Sequence, residues 1–354
     1  MRSAIPLLEP DKDSPPLDSC GKILVCFYQP FTTMTFKSLL LLFTLFCSSV
    51  SFANPKAPIR LGVMAAGTLA WELAAMKNLG LLNNPDFSIE TIPLANQQAG
   101  KIALQAGSVD MIVSDWIWVS SMRSDGNDYT FSPFSNSAGG LLVASNSPIN
   151  SLADLKGKKL GIAGGELDKN WLLLQALGLK QGIDLNQSVE KIYAAPPLLN
   201  QQLSQGGLDA VLTYWQFAAR LEAQGYRQLL SGEEIILQLG IQESVPSLGY
   251  VFKQSFAQQQ PFALASFFTA SKSARNSLCS VDSEWQKIIS LTETDDQASQ
   301  QKIRQRYCQG QVKHWGSAEQ RAAATLYGLL SKLSDNKLTG KSPTIETGTF
   351  WSAE

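Results

Sequence analysis

The stretch Ser151-Leu-Ala-Asp-Leu-Lys-Gly-Lys-Lys-Leu-Gly-Ile-Ala-Gly-Gly-Glu-Leu-Asp-Lys-Asn-Trp171 decides how the chain is read. It predicts a short helix over 151–156, a strand over 159–163, a glycine turn at Gly164-Gly165 and a second helix from about Asp168. A strand that ends in glycines and feeds a helix leaves backbone N–H groups aimed at one spot. Glycine lets a ligand approach that backbone closely. In open α/β sheets ligands sit at such carboxyl ends of strands. The turn is therefore expected to wall a small-molecule cleft.

Working outward, the same unit repeats on both sides. Ile59-Arg-Leu-Gly-Val-Met64, Phe87–Ile92 and Val109–Val113 alternate with helical stretches closed by Gly80 and Gly107. Strand, helix, strand, helix, strand argues a parallel sheet. Leu141–Ala144 reads as a further strand of that lobe, and Ser145–Asn150 as a crossover. The opening stretch then starts a second lobe. Its strands are expected near 159–163, 189–194, 208–213 and 227–230, with helices at 168–178, 198–205 and 214–225. Leu248–Phe252 reads as a strand rejoining the first lobe. Four helical stretches follow, at 261–275, 283–291, 295–307 and 318–334, then an irregular tail over 344–351. The expected fold class is α/β: two lobes, each a mainly parallel sheet flanked by helices, with a C-terminal helical segment. The expected division is a leader over 1–53, a first lobe from 54–144 plus 249–354, and a second lobe over 145–248.

The leader rests on Met34-Thr-Phe-Lys37, an apolar run over 38–46, and Ser51 and Ala53 placed for cleavage. That order is a signal peptide, too short for a comfortable membrane span. It predicts export to the periplasm, with a mature chain from about Asn54 and Met34 competing with Met1 as the start. An uncleaved anchor is the competing reading, and Cys47 invites a lipoprotein reading that bulky Phe46 disfavours. Of five cysteines, Cys20, Cys26 and Cys47 fall in the leader. The remaining pair, Cys279 and Cys308, suggests one disulfide in an exported chain, against two unrelated buried thiols.

Charge narrows the function. Lys and Arg number 29 against 30 Asp and Glu, so no basic footprint for nucleic acid is present. The single histidine, His314, cannot build a His-rich metal site or a convincing triad. Gly161-Ile-Ala-Gly-Gly has neither phosphate-loop nor dinucleotide spacing. No catalytic residue, metal or cofactor is expected.

The loops after strands supply the candidate ligand-binding residues: Thr68, Trp71 and Glu72; Asp115 and Trp116; Ser137 and Gly139; Gly164, Gly165, Glu166 and Asp168; Tyr214 and Trp215. The aromatic groups would stack on a flat ring or pack a cation, or else fill the cores beneath the loops. Trp118 is expected to face inward. Four carboxylates and no arginine in these loops favour an aromatic, amine-bearing or cationic solute. An oxyanion receptor would be expected to present arginine or a cluster of N–H and hydroxyl donors. Asp168 has the competing reading of a helix cap, and Glu166 that of a solvated charge.

Residues 151–163, Gln205-Gly-Gly-Leu-Asp-Ala-Val-Leu212, Gly249-Tyr-Val-Phe252 and Gly107-Ser-Val-Asp-Met-Ile-Val113 resemble, in order and spacing, the periplasmic solute-binding proteins of ABC importers. The branch is the nitrate, taurine, alkanesulfonate and thiamine-pyrimidine-precursor group, and the resemblance runs from Pro58 to about Ala274. It implies a monomeric receptor without catalysis that closes by hinge motion and hands its ligand to an inner-membrane permease. Fungal enzymes of the pyrimidine-precursor group use their own histidine and a cysteine-rich motif, neither of which this chain carries. An oxyanion ligand, and an exported accessory protein or enzyme on the same scaffold, are the alternatives.

Overall fold

The computed structural model describes residues 57–64 and 67–352. The expected leader, with its cleavage site and Cys20, Cys26 and Cys47, lies outside the described residues.

Among the described residues ten strands form two sheets. The first holds β1 (Ala57–Met64), β2 (Phe87–Leu94), β3 (Met111–Ser114), β4 (Tyr129–Ser135) and β10 (Leu248–Lys253) in the order β2-β1-β3-β10-β4. The second holds β5 (Gly140–Val143), β6 (Lys159–Ala163), β7 (Glu190–Ala194), β8 (Ala210–Thr213) and β9 (Arg227–Ser231) in the order β7-β6-β8-β5-β9. In each, three parallel strands are followed by one antiparallel strand, β10 or β5. This is the two-lobed α/β architecture expected from the alternation. Helices cover the sheets: α1 (Thr68–Asn78), α2 (Gln97–Gln105), α3 (Trp116–Ser124), α4 (Lys169–Lys180), α5 (Leu185–Ser188), α6 (Pro196–Ser204), α7 (Trp215–Ala223) and α8 (Gly232–Gln238). After β10 come α9 (Gln254–Gln259), α10 (Pro261–Ser280), α11 (Asp282–Ile288), α12 (Gln297–Gln309) and α13 (Ser317–Leu333). None of the described helices is long and apolar enough to cross a membrane.

One boundary differs from the sequence expectation. The strand at 140–143 belongs to the second sheet, where it pairs with both β8 and β9. The chain therefore crosses between sheets at 136–139, ahead of the 145–150 crossover expected. The cause is burial: all four residues of β5 are buried, so both edges and both faces need cover. The place of β5, fourth in its sheet, is held in the first sheet by β10, and the outer place by β4, which Pro133 hides from a pattern reading. Proline is tolerated there because β4 is an edge strand. The expected irregular tail lies along that edge, with Phe131 N–H donating to Thr349 O at 2.8 Å and Trp351 N–H to Phe131 O at 2.9 Å. It covers backbone groups that an open edge would leave exposed.

Cys279 and Cys308 are disulfide-bonded, tying α10 to α12. Two late helices also reach the second sheet. α12 packs on α7, where Arg306 Nε donates to Glu222 Oε2 at 2.8 Å. α13 buries Ala322, Ala323, Leu326, Tyr327 and Leu330, a stripe at helical spacing. It lays them against the α4 and α8 side chains in one apolar cluster.

The fold sets the site through direction. α1, α3, α4 and α7 each start where β1, β3, β6 and β8 end. Four helix N-termini therefore converge on the gap between the sheets.

Candidate functional site

A cavity of about 280 Å³ lies in that gap, at the small end of organic-ligand sites. Eight of the expected residues line it: Thr68, Asp115, Trp116, Ser137, Gly139, Asp168, Tyr214 and Trp215.

The two cleft carboxylates are engaged as helix caps. Asp115 Oδ1 accepts from Trp118 N–H at 2.9 Å, at the start of α3. Its other oxygen lies 3.6 Å from Lys101 Nζ. Burial pushes the Asp115 carboxyl up, but the ammonium groups of Lys169 and Lys101 and the Trp118 N–H outweigh it and hold the acid below its ordinary range. Asp168 caps α4 by accepting from Asn170 N–H at 2.9 Å and Trp171 N–H at 3.2 Å. Burial raises its pKa, and those N–H groups and Lys169 offset only part of the rise. Burial and the nearby Asp168 charge push the Tyr214 phenol up to about 12, so it stays a donor at neutral pH.

The other two N-termini differ. Gly67 precedes α1 and Tyr214 precedes α7, and neither supplies a side-chain cap. The first N–H groups of a helix have no intrahelical partner. Thr68 and Leu69, and Trp215 and Gln216, carry such groups and line the cavity at the positive ends of two helices. Lys169 is the single cation among the described lining residues, and its Nζ donates to Ser247 O at 3.3 Å.

Ser137 and Gly139 lie on the crossover between the sheets. Ser137 Oγ is buried without a hydrogen-bond partner among the described residues. A Cβ on Gly139 would stand 2.2 Å from Thr213 O, so only glycine lets the crossover pass this close to β8.

Five expected residues lie elsewhere. Trp71 is 4% exposed in the first-sheet core. It packs edge-on to Trp215 and Trp285 and donates from Nε1 to Leu291 O at 2.9 Å. Glu72 is wholly buried and accepts from Ser271 Oγ (2.9 Å), Tyr307 OH (3.1 Å), Arg275 Nη1 (3.3 Å) and Tyr250 OH (3.4 Å). Both fail for one reason: α1 points its N-terminus at the cleft, and each residue further on sits about 1.5 Å deeper along the axis. Only Thr68 and Leu69 reach the opening. Glu166 is exposed on the surface. Gly164 and Gly165 do not line the cavity. Gly164, at φ +87°, sits behind Tyr214 and Asp168, where a Cβ would fall 2.6 Å from the phenol oxygen. The glycine turn thus makes room for two lining side chains from behind.

The aromatic residues divide between wall and core. Trp116 is 2% exposed and donates to Pro246 O at 2.8 Å, so its ring is a fixed wall. Trp118, expected to face inward, is half-buried and stacks on Tyr129 away from the cleft. Sequence reading missed Lys169, Asn170, the returning segment Val245–Leu248, and Leu326 and Leu330 of α13. Lys169 and Asn170 directly follow a cap at a strand end, a signal that was present. Nothing local marks the α13 leucines, which lie 146 and 150 residues beyond the end of α4.

Comparison with known proteins adds a family and a fold. The model of the "NMT1/THI5 like" family matches residues 77–280. A putative aliphatic sulfonates-binding protein of Escherichia coli (strain K12) is 28% identical over 190 residues, 52% of this chain and 57% of that protein. The match thus spans little more than half of the relative's length. Among solved structures, the periplasmic aliphatic sulphonate binding protein of Escherichia coli superposes with a TM-score of 0.66 at 19% identity, covering 83% of this chain and 97% of that one. The alkanesulfonate-binding protein of Xanthomonas axonopodis pv. citri, bound to MOPS, gives 0.63 at 18% identity, covering 84% and 99%.

Proposed function

The chain belongs to the NMT1/THI5-like family, and on that premise we propose that it is the periplasmic substrate-binding component of an ABC importer, taking a small organic solute with an anionic head. Two lobes, 57–135 with 248–352 and 140–238, would close on the ligand through the connections at 136–139 and 239–247. Delivery to an inner-membrane permease follows from the same reading.

One observation carries the anionic head. The uncapped N-termini of α1 and α7 and the Lys169 ammonium serve one cavity, while both lining carboxylates are engaged as caps. Uncapped N-termini and an ammonium favour negative charge. This reverses the preference for a cationic or amine-bearing solute drawn from sequence. That preference rested on four carboxylates, of which Glu72 is in the core, Glu166 is on the surface, and Asp115 and Asp168 have their own partners. The sulfonate-binding names of the relatives point the same way.

Calorimetric titration with a short alkanesulfonate, the matching carboxylate and the matching alkylamine tests the reading. Saturable binding of an acid and not of the amine is expected. Binding of the amine alone would overturn the anionic head, and a silent screen of small solutes would overturn the receptor role.

A further inference from the structure

We propose that Leu326 and Leu330 of α13 form the end wall of the cleft and set the length of aliphatic chain the ligand can carry. The inference rests on the receptor reading above and extends it to residues beyond the family-matched segment 77–280.

The cleft changes character along α4. Its first turn offers Lys169 and Asn170, whereas Leu173, one turn deeper, is 4% exposed and apolar. One turn advances about 5.4 Å. A head held at the first turn therefore directs the rest of the molecule past Leu173. There Leu326 and Leu330 also line the cavity. They lie four residues apart on one face of α13 and belong to the same apolar cluster as Leu173. Leu330 is 0% exposed and Leu326 5%, so almost no water-sized space continues past them. A charged or strongly polar tail would lose its hydration there without a partner. An aliphatic tail would gain, and each buried methylene raises affinity about fourfold until the wall is met.

The test is a chain-length series, titrated into the purified protein and into Leu326→Ala and Leu330→Ala. Linear alkanesulfonates from two to eight carbons form the first arm, and alkylamines of the same lengths the second. For the unaltered protein, affinity should climb with length, peak and fall. In each variant the peak should move about one or two carbons longer, with ligands beyond the original peak gaining about fourfold or more. Melting curves establish that each variant is folded. If truncation to alanine prevents folding, the smaller change Leu326→Val carries the same shift in reduced size. A peak at the same length in all folded variants overturns the end wall and leaves the anionic head standing. A shifted peak seen only with amines overturns the anionic head and keeps the end wall. No length dependence in either arm overturns the end wall outright.

Discussion

Lys169 Nζ donates to the carbonyl of Ser247 at 3.3 Å. The contact joins the first turn of α4, on the second sheet, to the segment by which the chain returns to the first. Asp115, from the first sheet, feels the same ammonium as the strongest influence holding its proton off. One lysine thus faces both lobes and the cavity. Lys169→Gln should lower affinity for an anionic ligand by about tenfold to a hundredfold, the loss of one charge-assisted contact. It should also lower the melting temperature of the free protein a little, because Asp115 loses the cation that most offsets its burial. Calorimetry at low and moderate salt checks both, because the loss should shrink as salt rises.

Gly139→Ala should be among the most damaging single-methyl changes in the protein. The new Cβ would stand 2.2 Å from Thr213 O, a backbone atom with no rotamer to yield. A cost of about 2 kcal/mol or more is expected from overpacking. Gly107→Ala has open space around its Cβ but a φ of +71°, so it should cost only about 1 kcal/mol. Urea denaturation of the two variants side by side separates the effects.

Stability should fall as pH rises from about 4.5 to about 7. Burial raises the Glu72 carboxyl to about 7 against the Arg275 charge and the Ser271, Tyr307 and Tyr250 hydroxyls, which favour its ionised form. The folded protein therefore holds a proton in that window that the unfolded chain has released. Ionising Glu72 on the way to neutral pH then costs stability. A rise of this size corresponds to on the order of 3 kcal/mol. Glu72→Gln should flatten that part of the pH–stability curve, and chemical denaturation at half-unit pH steps would show it.

Removing the disulfide with Cys279→Ser and Cys308→Ser together should destabilise by about 3–4 kcal/mol, the loop-closure value for a 29-residue separation. Ligand affinity should change much less, since neither sulfur lines the cleft. Thermal melts with and without reductant give the first quantity and calorimetry the second.

Strand alternation, glycine punctuation and strand-end helices make the two lobes legible in the sequence alone. One strand, β5, was expected in the other lobe, and another, β4, was not expected as a strand. β5 looks like any short apolar run, and its choice of sheet depends on β8 and β9, which come 67 residues later and more. β4 carries a proline that only an edge position permits. In the site, Asp115, Tyr214 and Trp215, one or two positions past a strand end, and Thr68, the first residue of α1, line the cavity. Those a turn further into a helix, Trp71 and Glu72, went to the core. The charge argument failed for a related reason. Composition counts carboxylates but does not show that Asp115 and Asp168 already hold their own helices' N–H groups.

The seating of β10 between β3 and β4 governs the order in which the lobes can be completed as the chain is made. All five strands of the second sheet lie between residues 140 and 231, so that sheet can assemble once β9 has emerged. The first sheet stays split until residues 248–253 arrive, and its outer edge stays open until 349–351 close over Phe131. A chain cut before Thr349 would therefore leave a complete second sheet beside a first sheet with an adhesive edge. A purification tag fused close behind Trp351 would crowd that closing step.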